Sequence, residues 1–138
     1  MTLSPDLLDQ FNRNALYTTI GIHLDKAEDG RAEAVLTPNP KVCWPFPTQP
    51  HGGMLFTIMD TTMAWAIQSL LEQGFSCTTI DLHIQYLASA KESPYTCLAE
   101  TTHQTRHLAF VRADIRDAHN RPIASGQGTF RIIKMDWA

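Results

Sequence analysis

The sequence has little of what would set the protein apart from an ordinary globular domain. Its three cysteines cannot all pair and contain no Cys-x-x-Cys motif, which argues against a disulfide-built fold. The cysteines offer no ligand pair at a metal-binding spacing, and we predict no metal and no cofactor. No basic run is present and the formal net charge is -3, so nucleic acid is not an expected partner.

Long uninterrupted hydrophobic runs are also missing. The most apolar stretch, residues 53–71, carries Asp60 at its centre, and a central Asp costs roughly 3 kcal/mol on membrane-insertion scales. Asp6 and Asp9 stand where a signal peptide would need an apolar run. We therefore expect a cytoplasmic protein with no membrane contact. No linker or internal repeat divides residues 1–138, so we expect one domain.

The order of helix and strand patterns predicts the fold class. Ser4-Pro5 resembles a helix start, strand patterns follow from Tyr17, and Glu28-Asp29-Gly30 indicates a hairpin turn. Five prolines make residues 38–50 an irregular loop, and a long apolar helix then runs to Glu72, with Gly74 ending it. Four more strand-like segments complete the chain. We predict an α+β domain, with a short N-terminal helix and an antiparallel sheet wrapped around one long central helix.

The first strand after the long helix shows a regular alternation. Ile80, Leu82, Ile84 and Tyr86 are assigned to one face of this strand. Thr79, Asp81, His83 and Gln85 are assigned to the opposite face.

Asp60 is the only formally charged residue between Gly52 and Leu71. Because burying an unpaired charge costs several kcal/mol, this carboxylate is either paired or lines a cleft. A structural Asp bonded to Thr57 or Thr61 is as plausible from this segment as a catalytic one.

His51-Gly52-Gly53 opens the same helix. The first N–H groups of a helix have no partner within it, and with the helix dipole they stabilise developing negative charge. Two glycines also allow a substrate carbonyl to approach the backbone closely. The segment therefore fits an oxyanion hole, although glycines at this position also serve a simple loop-to-helix bend.

The spacing of these two features has a consequence for assembly. Gly52 and Asp60 are eight residues apart, about 12 Å along a helix. Reacting atoms must come within about 3.5 Å, so the two groups of one chain cannot act on one carbon. An antiparallel second copy of the helix would bring them together, which predicts a homodimer at least.

The segment HGGMLFTIMDTTMAWA resembles the signature of the hotdog-fold acyl-CoA thioesterases, in particular the PaaI-like branch associated with phenylacetate degradation. TTIDLHIQYLASAK and HQTRHLAFVRADI are similar to later strands of the same family, so the likeness covers most of the chain. It implies a hotdog fold, hydrolysis of an acyl- or aroyl-CoA thioester at a shared interface, and a homotetramer as the expected assembly.

The resemblance also implies roles for individual residues. The Gly52 N–H would hold the thioester carbonyl oxygen, and Asp60 would activate water or attack directly. Thr79 would help to hold the water, and His51 would orient the loop. Candidate substrate contacts are Gly53, Gln49, Met63 and Arg106, with Arg106 near the coenzyme A phosphates. For Met63 a place in the core is the alternative.

The sequence departs from the family pattern at two positions. Many relatives carry Asn or Gln six residues before the His, where this chain has Pro45; Thr48 or Gln49 are possible substitutes. Thr105 replaces a glycine of the family. Trp65 and the loop Trp44-Pro45-Phe46 hint at an apolar or aryl pocket, or simply fill a core.

Two other functions remain open on the same fold. One is a non-catalytic acyl-CoA sensor, which the change at Pro45 allows and Asp60 argues against. The other is a hydratase or dehydratase of enoyl thioesters, which the His-Gly-Gly pattern argues against.

Overall fold

The computed structural model describes residues 3–43 and 49–135 of the chain. Its helices are α1 (Pro5–Asn12), α2 (Ala15–Ile20) and α3 (Gly52–Gln68), with a 3-10 turn at Pro40–Val42. Its strands are β1 (Ile22–Glu28), β2 (Arg31–Leu36), β3 (Phe75–Tyr86), β4 (Tyr95–Gln104), β5 (Leu108–Arg116) and β6 (Pro122–Lys134). The strands form an antiparallel sheet in the order β1-β2-β4-β5-β6-β3, so β1 and β3 are its edges.

Helix α3 lies against the inner face of this sheet, and its apolar side chains form the centre of the core. Its buried residues are Leu55, Ile58, Met59, Thr62, Met63, Ala66 and Ile67. Alanines on the facing strands leave room for it. This confirms the predicted α+β architecture, a sheet wrapped around one long helix. Among the described residues no helix, α3 included, is long and apolar enough to cross a membrane.

The predicted helix start at Ser4-Pro5 and the predicted hairpin turn at Glu28-Asp29-Gly30 are confirmed. The Ser4 side chain caps α1 by accepting the Leu7 N–H at 3.3 Å, with Pro5 in the first turn. Asp29 and Gly30 both have positive φ, +49° and +79°, as a two-residue hairpin turn between antiparallel strands requires.

Helix α3 ends at Gln68, so the predicted end at Glu72 is wrong. The Ser69 hydroxyl donates to the Ala66 carbonyl at 2.7 Å and accepts the Gly30 N–H at 2.8 Å. The bond between Gly30 and Ser69 ties the end of the helix to the β1–β2 turn. Gly74, with a φ of +91°, stands instead in the turn that leads into β3.

Residues 15–20 are helical, whereas the sequence pattern predicted a strand from Tyr17. Asn14 caps α2 by accepting the Tyr17 N–H at 3.0 Å, and Gly21 ends it with a φ of +100°. An Asn at the cap and a Gly just after the end are ordinary helix signals. The β-branched run in between concealed them.

The predicted faces of β3 are correct from Asp81 to Tyr86 but wrong at Thr79 and Ile80. The pairing of β3 with β6 runs from Thr79↔Phe130 directly to Asp81↔Thr129, so Ile80 is an extra residue in a β-bulge. The bulge changes the phase of the alternation. Thr79 therefore faces α3, as do Leu82 and Ile84, which pack against the core, while Ile80 is 57% exposed.

Candidate active site

Asp60 lies in the middle of α3, half-buried, on the side of the helix that faces β3. The Thr79 hydroxyl donates to Asp60 Oδ1 at 2.6 Å. A hydroxyl bonded to an ionised oxygen makes a short, strong hydrogen bond. No other described side chain bonds the carboxylate, and Thr57 donates instead to the Gly53 carbonyl at 2.8 Å. The structure thus brings Asp60 and Thr79 together and leaves Asp60 Oδ2 available.

Cys77 is the next residue of β3 that faces the helix. Its thiol donates to the Ala64 carbonyl at 3.6 Å, one helical turn beyond Asp60. Burial, and to a lesser extent the negative charge of Asp60, raises the Cys77 pKa to about 11. The thiol is therefore protonated at neutral pH and is a poor nucleophile.

His51 is the N-cap of α3. Its Nδ1 accepts the Gly53 N–H at 2.8 Å, and its carbonyl accepts the Met54 N–H at 2.8 Å. The Gly53 N–H is therefore occupied within the chain, and a contact of Gly53 with substrate stays a prediction. The Gly52 N–H has no partner within the described parts of the chain and remains free to donate.

Tyr86, at the end of β3, belongs to the same region and was not among the predicted site residues. Its hydroxyl donates to the Gly52 carbonyl at 2.7 Å. A Cβ at Gly52 would lie 3.4 Å from two carbons of the Tyr86 ring, so the backbone and the ring are already close. The phase change at the bulge places Tyr86 on the helix-facing side together with Thr79.

A cavity of about 330 Å³ lies beside the start of α3. Its lining residues are Gln49, Pro50, Gly52, Leu55, Tyr86, Leu87, Ala88, Ser89 and Ala90. Gln49 thus lies beside Gly52, as the sequence suggested. Residues 44–48, which include Pro45 and Thr48, lie outside the described residues. A larger groove of about 1000 Å³ occurs elsewhere on the sheet, and no predicted site residue lines it.

Two other residues with predicted roles lie in the packed interior. Met63 is fully buried, and a Cβ at Gly128 would lie 2.9 Å from its sulfur. The burial of Met63 agrees with the core alternative, and its contact with substrate stays a prediction. Trp65 packs on Phe11 with ring centroids 4.5 Å apart and donates its indole N–H to the Tyr17 hydroxyl at 2.6 Å. It joins the N-terminal helices to α3.

Arg106 lies in the exposed turn between β4 and β5, and no ion pair to it occurs within the described residues. Thr79, Phe130 and Ala109 are in register across β3, β6 and β5. Ala109 is the second residue of β5, so the turn that holds Arg106 lies close to the β5 end of this row of paired residues.

Comparison with known proteins places these features in a family. The model of the Thioesterase superfamily matches residues 51–124, more than half of the chain, from the cap of α3 to the start of β6. A Sulfurisphaera tokodaii protein named "Putative esterase" is 27% identical over 61% of this chain. The matched region is 62% of that relative, so the chain spans less than two thirds of its length.

Solved structures share the fold across almost the whole chain. A thioesterase from Haemophilus influenzae superposes with a TM-score of 0.89 at 21% identity, covering 99% of this chain and 95% of the other. The PaaI protein from the phenylacetic acid degradation operon of Escherichia coli superposes with a TM-score of 0.80 at 22% identity, covering 92% and 90%. The predicted hotdog fold and the resemblance to PaaI are confirmed, and the relatives' names support the predicted hydrolase class. By sequence and fold alike, the chain belongs to the thioesterase superfamily.

Proposed function

We propose that the protein hydrolyses an acyl- or aroyl-coenzyme A thioester to the free carboxylic acid and coenzyme A. The observation that carries the proposal is the 2.6 Å hydrogen bond from Thr79 to Asp60. It holds a carboxylate at the side of a helix whose first N–H, on Gly52, is free, in a chain of the thioesterase superfamily. An oriented carboxylate and an N–H donor are two groups that acyl transfer to water needs.

Each group has a role in the reaction. The Gly52 N–H, at the positive end of α3, donates to the carbonyl oxygen as it gains negative charge. Asp60 takes a proton from water while the water oxygen bonds to the carbonyl carbon. The carbon–sulfur bond then breaks, and the proton passes to the departing thiolate. Thr79 fixes the carboxylate so that Oδ2 faces the water.

A direct attack by Asp60 would give an acid anhydride, which water then opens. The two routes differ in the fate of solvent oxygen. Water that attacks the Asp60 carboxyl carbon of the anhydride leaves ¹⁸O in Asp60 after a single turnover in H₂¹⁸O, whereas the general-base route labels only the product, so label in Asp60 identifies direct attack.

The site is shared between two chains. Within one chain the eight residues from Gly52 to Asp60 span about 12 Å of continuous helix, too far for both groups to reach one carbon. Edge strand β3 has unpaired backbone groups along its free side. Large apolar residues exposed on or near that edge are Phe56, Ile80, Tyr86 and Leu87. Pairing of β3 with a second β3 would cover them and set two α3 helices antiparallel.

The remaining contacts follow the shape of the thioester substrate. Gln49 lies beside Gly52 in the cavity wall and is placed to contact the acyl carbonyl or the adjacent chain. Arg106, exposed and unpaired among the described side chains, is placed to contact the phosphates of coenzyme A. Assembly of two dimers into a tetramer is part of the same proposal.

Release of free thiol from a panel of acyl- and aroyl-CoA esters tests the proposal. Asp60→Asn should lower kcat by at least about 100-fold, the usual effect of losing a base or nucleophile. Thr79→Ala should lower it about tenfold, because a hydrogen bond to a charged group is lost. Asp114→Asn, the same chemical change on an exposed strand position, is the matched control and should leave kcat unchanged.

The outcomes separate the alternatives. Turnover of Asp60→Asn within a few-fold of wild type would show that Asp60 is not the base. Tight binding of acyl-CoA with no thiol release would establish a binding protein. A change in the absorbance of an enoyl thioester without thiol release would establish a hydratase.

A further inference from the structure

The peptide unit between Gly52 and Gly53 is held at both of its ends by side chains. Its carbonyl accepts the Tyr86 hydroxyl at 2.7 Å, and its N–H donates to His51 Nδ1 at 2.8 Å. One side chain comes from β3 and the other from the residue before α3. Because a peptide unit is planar, fixing its oxygen and its nitrogen fixes its orientation.

This double contact lies where the backbone has most freedom. Glycine has the widest range of φ and ψ, and consecutive glycines at a helix start favour fraying of the first turn. The Gly52 N–H belongs to the preceding peptide unit, whose His51 carbonyl accepts the Met54 N–H at 2.8 Å, and the backbone of Gly52 joins that unit to the held one. Holding that unit therefore restricts the direction of the N–H, and an oxyanion donor is effective only when it is already aimed at the developing charge.

We propose that Tyr86 is a positioning residue, which together with His51 clamps the Gly52–Gly53 peptide and aims the Gly52 N–H at the substrate carbonyl. The inference rests on the proposed function, because it assigns a further residue to the same site. Tyr86 acts through the backbone: its hydroxyl hydrogen is already donated to Gly52.

Two further observations agree with this role. Tyr86 is 51% exposed and lines the 330 Å³ cavity next to Gly52, so its ring is not held by the core. Its hydroxyl bonds the carbonyl of Gly52, whose own N–H has no partner among the described residues. Partial burial also raises the Tyr86 pKa, so the phenol remains a donor across neutral pH.

Tyr86→Phe tests the clamp, because it keeps the ring over Gly52 and removes only the hydroxyl. We expect kcat for a hydrolysed acyl-CoA ester to fall about tenfold, a part of the 10²–10³ that loss of a whole oxyanion donor costs. The Kd of a thioether analogue, which lacks the carbonyl oxygen, should change less than twofold. A merely structural role would move both quantities together.

The control is Tyr95→Phe. Tyr95 is fully buried and its hydroxyl has no partner within residues 3–43 and 49–135, so the same atom is removed without loss of a hydrogen bond seen there. This variant should keep wild-type kcat. His51→Ala should reproduce the loss seen in Tyr86→Phe, and His51→Asn should restore most of it, since Asn is also a good N-cap acceptor.

Amide exchange measured by NMR gives a readout that needs no turnover. The Gly53 amide should exchange several-fold faster in Tyr86→Phe than in wild type, with the thermal midpoint nearly unchanged. Unchanged Gly53 exchange, or unchanged kcat in an active protein, overturns the inference while the proposed function stands. Absence of turnover in the wild type overturns the proposed function, and with it the catalytic role of the clamp.

Discussion

Asp60 and Cys77 lie on the face where α3 meets β3, with the Cys77 thiol beside Ala64, one helical turn beyond Asp60. The surroundings of the two side chains differ in their effect on reactivity. Asp60 is hydrogen-bonded by Thr79 and keeps one oxygen available. The Cys77 thiol points to a backbone carbonyl, and burial and the Asp60 charge raise its pKa to about 11. A thiolate is the reactive form of cysteine, so the raised pKa makes the thiol inert near neutral pH.

We predict that Cys77→Ser retains kcat within a few-fold of wild type. Thiolate character, and with it alkylation of Cys77 by iodoacetamide, should increase only as the pH approaches its raised pKa of about 11. Thiol release assays and peptide mass spectrometry after alkylation measure the two effects. A loss of 100-fold or more in Cys77→Ser would assign the nucleophile to the thiol and not to Asp60.

At the residue scale the sequence was most informative where one residue type stood out. Asp60 is the only charge in an apolar helix, and Gly52 follows a proline-rich loop, so both could be singled out. Tyr86 and the partners of His51 could not. Their roles depend on which backbone atoms lie nearby, and an unpredicted bulge decides which way Tyr86 faces.

The packing of α3 on β6 depends on two glycines that face two methionines. A Cβ at Gly126 would clash with the Met59 sulfur and lie 2.7 Å from the His83 carbonyl oxygen. A Cβ at Gly128 would lie 2.9 Å from the Met63 sulfur and from the Phe130 ring. The first contact includes rigid backbone at close range, whereas the second meets side chains closely and backbone, the Asp81 carbonyl oxygen, only at 3.6 Å.

We therefore predict that Gly126→Ala destabilises the protein more than Gly128→Ala. Overpacking of a core costs about 1–3 kcal/mol, and relief is smallest where the obstacle is backbone. Urea unfolding of the two variants gives the free energies of unfolding. An equal or larger loss for Gly128→Ala would contradict this account of the interface.

At the element scale the order of helices and strands followed from periodicity, but two local features did not. Helix α2 was hidden because Thr18, Thr19 and Ile20 have strand propensity, and the caps at Asn14 and Gly21 decide the local structure. The bulge at Ile80 was hidden because an apolar residue continues the alternation whether it is paired or not.

At the scale of the whole molecule, the proposed shared site would make activity depend on two chains. One half of each site, the Gly52 N–H, and the other half, the Asp60 carboxylate, would come from different copies. Gly52→Pro removes the N–H alone, because proline is well tolerated at the first position of a helix. The extended backbone of His51, with ψ of 143°, suits a following proline.

Mixing Gly52→Pro chains with Asp60→Asn chains tests this arrangement. Each variant alone should be inactive, whereas a mixed dimer contains one intact site. Random assortment should restore about a quarter of wild-type activity, since half of the dimers are mixed and half of their sites are complete. Gly52→Ala, which adds the Cβ and keeps the N–H, is the control and should lose less activity than Gly52→Pro. Activity no higher than that of the two separate variants would place the site within one chain.

The bulge at Ile80 has a consequence for how this chain is aligned with its relatives. Because the bulge absorbs one residue, Thr79 and Leu82 keep the same orientation whether Ile80 is present or not. Deletion of Ile80 would therefore leave Thr79 facing Asp60. A gap at Ile80 is the correct alignment for any relative with a regular strand, and a gapless alignment would match Tyr86 to the wrong position.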